Sequence, residues 1–241
     1  MRIYITSLLL WFIITGCANH SYVKPHTQLT ISSKDRVGYI IESGDGILVN
    51  NNVHVEREYK LHWSPKHDAQ MILQKNIKVT WVNLIHHNFN IKTLMTLFKK
   101  QNGRYVLNNR HLYDFLVNKL HLKAIVVLRD EAELLQHGEM FYVDKPSLVS
   151  LTAFGLKRYH VISSYHYYLF NLISPAVYHI ESEHNTLIYN SIYSSYAKQS
   201  GFKEPNNIEE ITEEEFLPVR KTFVNMFIQA THRLSNYFKI Q

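Results

Sequence analysis

Apolar positions change spacing several times along this chain, and each change marks an element. The chain opens with one arginine and then Leu8-Leu9-Leu10-Trp11-Phe12-Ile13-Ile14, an uninterrupted apolar run. Residues 20–36 are polar and contain Pro25, which predicts a flexible tether. Val37-Gly38-Tyr39-Ile40-Ile41-Glu42 then reads as a strand closed by the turn signal Ser43-Gly44-Asp45-Gly46. Ile47-Leu48-Val49 is expected to pair back across that turn. Residues 50–81 have no clear period, although Ile77 to Val82 has strand character. Ile91, Leu94, Met95 and Phe98 recur at i, i+3, i+4 and i+7, one face of a helix ended by Gly103. After a short strand at Tyr105-Val106-Leu107, Leu112, Phe115, Leu116 and Leu120 predict a second helix. Lys123-Ala124-Ile125-Val126-Val127-Leu128-Arg129 is apolar without alternation, as in a strand covered on both faces.

Beyond Asp130, segments 141–143, 148–154, 159–173, 176–180 and 187–196 are rich in Tyr, Val and Ile, which predicts antiparallel strands. Glu183-His184-Asn185 reads as the tip of a hairpin. The chain finishes on a long amphipathic helix, with Phe216, Val219, Phe223, Phe227, Ala230, Leu234 and Phe238 on one stripe. Pro218 is expected in its first turn, so the regular helix should start near Leu217. The pattern indicates an α/β fold: a mixed sheet with two packed helices, antiparallel C-terminal strands and a long C-terminal helix.

Composition narrows the function. With 46% hydrophobic and 13% aromatic residues, the chain can bury a core. One cysteine in 241 residues excludes internal disulfides and thiolate zinc sites. The formal charge of +6 is unevenly spread. Between Arg57 and Lys123 stand twelve Lys or Arg against three acids, whereas the stretch from Glu204 to Glu215 holds six glutamates and no base. A basic middle favours anionic partners or is simply a solvated face.

That single cysteine, Cys17, stands just behind the opening apolar run, in Ile14-Thr15-Gly16-Cys17. Even counted from Ile3 to Ile14, the apolar core is nearer to about 12 residues than to the roughly 20 of a spanning helix. The motif resembles the lipobox of bacterial lipoproteins. The resemblance implies cleavage before Cys17, acylation of its thiol, and a chain divided into a signal peptide (1–16), a lipidated tether (17–36) and a single periplasmic α/β domain (37–241). Ala18 in place of the aspartate that marks inner-membrane retention points to the outer membrane, on its periplasmic side.

The element order over residues 37–238, with Gly103-Arg104-Tyr105-Val106 leading to Lys123-Ala124-Ile125-Val126-Val127-Leu128, resembles a group of envelope lipoprotein domains. The group includes the curli-secretion channel lipoprotein, the activator lipoprotein of penicillin-binding protein and the amino-terminal domain of the Tol translocation protein. A later hairpin, Val177-Tyr178-His179-Ile180-Glu181 and Thr186-Leu187-Ile188-Tyr189, adds to the likeness. The chain departs from that group at Glu181 and His184-Asn185. The resemblance implies binding or assembly without chemistry. Expected partners are the membrane, through acylated Cys17, and envelope proteins or anionic cell-wall or lipid polymers. The address argues against nucleic acid, and the oligomeric state is left open.

The competing reading is a periplasmic metal binder or small hydrolase using the histidine-rich stretch 54–87. His62, His67, His86 and His87 are its candidate metal ligands, because imidazoles can gather zinc or copper where thiolates are absent. Their spacing matches no metal motif. No Gly-x-Ser-x-Gly elbow or phosphate-cradling glycine loop occurs, so neither a catalytic residue nor a cofactor is indicated. Asp130, Glu131 and Glu133 follow a strand end, where sites in α/β folds often lie, or simply open a helix, whose N-terminus favours acids. Tyr165, Tyr167, Tyr168, Tyr178, Tyr189, Tyr193 and Tyr196 would offer aromatic faces to a sugar, or fill the core.

Overall fold

The unbroken apolar run before Asp130 lies at the centre of a sheet covered on both faces. The structure, a computed structural model, describes residues 28–43, 46–51, 54–60, 63–130, 132–136, 139–143, 147–153, 156–162, 165–181, 197–199 and 213–241, with the side chains of 28–43, 63–129, 165–180, 214 and 216–241. In chain order the elements begin with β1 (Leu29–Ile31), β2 (Arg36–Glu42), β3 (Gly46–Asn51), β4 (His54–Lys60), α1 (Pro65–Asn76) and β5 (Thr80–Asn83). A 3-10 turn, Leu84–His87, leads to α2 (Ile91–Met95), β6 (Phe98–Gln101), β7 (Arg104–Leu107), α3 (Arg110–Asp114) and a π-helical turn, Phe115–Lys119. Then come β8 (Leu122–Asp130), β9 (Ala132–Gln136), β10 (Glu139–Val143), β11 (Ser147–Ala153) and β12 (Leu156–Ile162). The chain ends with β13 (Tyr165–Asn171), β14 (Ala176–Glu181), β15 (Ala197–Gln199), α4 (Glu213–Ser235) and β16 (Phe238–Ile240).

The central sheet has the order β14-β13-β8-β2-β5. Its β5, β2 and β8 run parallel, and β13 and β14 continue it antiparallel. This is the α/β class and mixed sheet that the hydrophobic pattern indicates. Alternation divides β8 between two cores. Ala124, Val126 and Leu128 meet α1 and α4 on one face, while Ile125 and Val127 meet the elements between Leu84 and Leu120 on the other. A second five-stranded sheet, β15-β12-β11-β3-β4, is described by its backbone course.

Ile47-Leu48-Val49 therefore does not pair back on β2. Its strand, β3, pairs with β4 and β11, because β2 already has β5 and β8 on its two edges. Similarly, the expected strand 159–173 is divided between β12 and β13, which belong to different sheets. β14 pairs with β13, and the rest of the expected hairpin, 182–196, lies outside the described residues.

The ambiguous stretch 50–81 contains α1. Ser64 caps it, its hydroxyl accepting from the His67 amide at 3.3 Å, and Pro65 occupies the first turn, where no amide is needed. Ala69 and Leu73 are buried. The helix expected through Phe98 is shorter than its pattern. α2 ends at Met95, which is 51% exposed, and Phe98 starts β6. Asn108 stops it from across the hairpin, donating from its side chain to the Thr96 carbonyl at 2.8 Å and from its amide to that of Leu97 at 2.9 Å. β6 and β7 join through Asn102-Gly103, both at positive φ (49° and 79°), the geometry that a two-residue hairpin turn requires.

α4 starts at Glu213, ahead of the expected Leu217, with Pro218 inside it. Burial of Phe216 on the same stripe as Val219 and Phe223 outweighs the one helical hydrogen bond that Pro218 cannot donate. Phe238, expected on the helix, belongs to β16. That strand pairs in parallel with β1 and buries Leu29, Ile31 and Phe238 in the α1–α4 core. Residues 28–36 of the expected tether thus belong to the fold, and the Gln28 side-chain amide donates to the Asn236 carbonyl at 2.9 Å. Two buried apolar residues in β1 override the polar composition around them.

Candidate functional site

Residues 84–123 form the layer over one face of the central sheet. They bury Leu84, Leu94, Leu97 and Leu116 inward, so their polar residues point to solvent. Every base in the layer is exposed. Lys92 stands on α2, Lys99, Lys100 and Arg104 on the β6–β7 hairpin, and Arg110 on α3. Lys119 lies over the Phe115 ring at 5.8 Å, and Lys123 is exposed at the start of β8. His86, His87, His111 and His121 are exposed on the same layer. Against seven Lys or Arg there is one carboxylate, Asp114, which meets Arg110 at 3.7 Å. On the hairpin, strand alternation places Lys99 and Arg104 together on the face away from buried Phe98.

A second cluster lies at the end of the sheet where β2 and β8 finish. The register aligns Glu42 with Arg129 and Arg129 with His166, and the Glu42 and Arg129 side chains meet at 3.3 Å. The Glu42 carboxylate also accepts from the Ile91 amide at 3.4 Å, fastening the start of α2 to the end of β2. His166 is buried, and its Nδ1 lies 2.9 Å from Nε2 of exposed His179. One ring must donate and the other accept, so the pair holds a single bridging proton. Tyr168 stacks on the other side of His179, with centroids 4.7 Å apart. The stack locks β13 to β14. Parallel strands ending beside a cluster of titratable groups are the usual place for a site in an α/β fold.

The sequence candidates are dispersed. Cys17 and His62 lie outside the described residues, as do Glu131, Tyr189, Tyr193 and Tyr196. His67 is exposed in the first turn of α1, on one face of the sheet, whereas His86 and His87 are exposed on the turn covering the other. The sheet stands between them, because α1 and the Leu84–His87 turn are built on opposite sides of it. Among the described residues no three His, Cys, Asp or Glu side chains form a group that could hold a metal. Asp130 ends β8, and Glu133 belongs to strand β9 rather than to a helix start.

The tyrosines divide by strand parity. Tyr165 and Tyr167 are buried against α4. Tyr165 stacks on Phe227 at 3.9 Å, and the Tyr167 hydroxyl bonds that of Thr231 at 2.9 Å. Burial raises the Tyr167 phenol well above its ordinary pKa, and the Thr231 bond pulls it part of the way back. Tyr39 is raised for the same cause, with Asn83 opposing. Tyr168 and Tyr178 are half-buried, Tyr178 beside Tyr237. The His166–His179 pairing could not be read from spacing. It depends on which strand β13 chooses as neighbour. Asn102-Gly103, by contrast, was a legible hairpin signal that would have placed Lys99 and Arg104 on one face.

No helix among the described residues is long and apolar enough to cross a membrane. No family model and no curated protein matches the chain. Among solved structures, a hypothetical protein from Chlamydia trachomatis is similar at 11% identity and a TM-score of 0.41, over 85% of this chain and 97% of that one.

Proposed function

We propose that the protein is a lipid-anchored accessory or scaffold lipoprotein of a bacterial envelope assembly, acting by binding partners rather than by catalysis. The observation that carries this reading is Ile14-Thr15-Gly16-Cys17 directly behind a short apolar run with a single base ahead of it. Ten residues separate Cys17 from Gln28, the residue that hydrogen-bonds to Asn236 just ahead of β1. At about 3.5 Å per extended residue, they keep the domain within roughly 35 Å of its lipid. Two or three acyl chains at about 0.8 kcal/mol per buried methylene make such an anchor effectively permanent. Ala18, where the lipoprotein pattern uses aspartate for inner-membrane retention, supports the outer membrane, periplasmic side.

The test is growth of the host with an alkyne-tagged palmitate, followed by capture of the protein and of its Cys17→Ala variant. Label on the native chain alone, in outer-membrane fractions, supports the anchor, and an unlabelled native chain refutes it. Crosslinked recovery of one defined set of envelope proteins, lost with Cys17→Ala, supports the accessory role. Recovery of nothing specific removes it.

A further inference from the structure

The basic layer and the point where the chain enters the domain lie on opposite faces of one sheet. β1 packs in the core formed with α1 and α4, while residues 84–123 cover the other face. A helix, a sheet and a second helical layer stack to roughly 30 Å. For the basic layer to lie on the anchoring bilayer, the ten residues after Cys17 would have to pass that whole thickness. Their limit is about 35 Å when fully extended, and a coil of that length averages only about 18 Å. Only a tether near full extension reaches that far, so an average one leaves the layer facing away from its own membrane.

Resting on the lipid-anchor reading, we propose that residues 84–123 are a docking surface for an anionic polymer of the aqueous envelope space, one bearing phosphate or carboxylate groups. Charge complementarity selects the partner. Seven exposed bases against Asp114 make this layer alone as positive as the whole chain's formal +6. The α1–α4 side is more nearly balanced, with Arg220 bonded to Asp68 and three glutamates opening α4. The bases stand on short elements pinned by buried leucines, so their backbone positions are fixed relative to one another. Contacts of this kind are separately weak, additive in number and screened by salt beyond a Debye length of about 8 Å.

The test uses the full lipidated chain in phosphatidylcholine vesicles at 0.15 M salt, with fluorescent polyphosphate and fluorescent polygalacturonate as probes. Flotation of protein with the vesicles reports the anchor separately, so loss of anchoring and loss of polymer binding are distinguishable. The expected result is binding to at least one polymer, weakened tenfold or more by Lys99→Glu, Lys100→Glu and Arg104→Glu together. A second triple on other elements of the layer, Lys92→Glu, Lys119→Glu and Lys123→Glu, should do the same should the first fail to fold. Reversal of exposed Lys75, Lys78 and Lys221 on the opposite side makes an equal change in net charge and should alter binding less than twofold. Replacing 30% of the phosphatidylcholine with phosphatidylglycerol should leave polymer binding within twofold. Equal losses from the two faces, binding to neither polymer, or a tenfold block by phosphatidylglycerol would each overturn the proposal.

Discussion

Removal of the Arg220 guanidinium should loosen the two-helix layer that covers one face of the sheet. Arg220 on α4 donates to Asp68 on α1 from Nε to Oδ2 and from Nη2 to Oδ1, both at 3.0 Å. Its guanidinium carbon lies 5.7 Å from the ring centre of Trp63, which is itself buried. Exposure decides the magnitude. The Asp68 side chain is 13% exposed and that of Arg220 is 38%, so the pair falls between two limits. Fully exposed pairs contribute about 0–1 kcal/mol, whereas stripping one partner from a fully buried pair costs about 3–5 kcal/mol. Arg220→Met should therefore cost about 2 kcal/mol, partly relieved because Asp68 sits in the first turn of α1, where the helix dipole favours a carboxylate. At about 2–4 °C per kcal/mol for a domain of this size, Tm should fall by about 4–8 °C.

Arg220→Lys keeps the charge but cannot make the two-pronged contact, so it should recover less than half of that loss. Urea unfolding of the native chain, Arg220→Met, Asp68→Asn and the double variant yields the coupling, expected near 1.5 kcal/mol. The pair would be reclassed with ordinary surface contacts by a coupling under about 0.5 kcal/mol, or by Arg220→Lys matching the native chain.

Three further outcomes follow from the packing. A Cβ added at Gly38 would stand 2.9 Å from Leu84 Cδ1 and 3.1 Å from its Cγ, so Gly38→Ala should destabilise by about 1–2 kcal/mol despite alanine's better backbone entropy, and a stabilised variant would refute this. Buried Tyr167 stays neutral in the fold while the unfolded chain ionises near 10.0, so its contribution is complete below that pH and declines above it by up to about 1.4 kcal/mol per unit. Tyr167→Phe should accordingly lose stability less steeply than the native chain as pH rises beyond 10.0, and identical slopes would show that the phenol is not responsible. His179→Ala removes both the ring that buried His166 bonds and the one Tyr168 stacks upon, a loss of about 1–2 kcal/mol. His179→Phe should restore part of it in thermal melts, since the stack survives; no difference between the two variants would make the stack irrelevant.

Local period decided much of this protein. The unbroken run in β8 required cover on both faces, and the stripe from Phe216 to Leu234 required a long helix on one of them. The basic middle is legible by counting, and so is the motif at Cys17. Only the tertiary structure decided neighbours. β3 left its expected partner because β2 had no free edge, and β1 emerged from a polar stretch because β16 was there to pair with it. α2 stopped early because Asn108, twelve residues beyond Thr96, reached back to its end. His67 was parted from His86 and His87 by a sheet whose strand order no spacing encodes, while His166 and His179 were joined by it. Periodicity reports which side of an element is buried, within a few residues. What that side is buried against depends on pairings across a hundred residues or more, and those are chosen by the energy of the whole core.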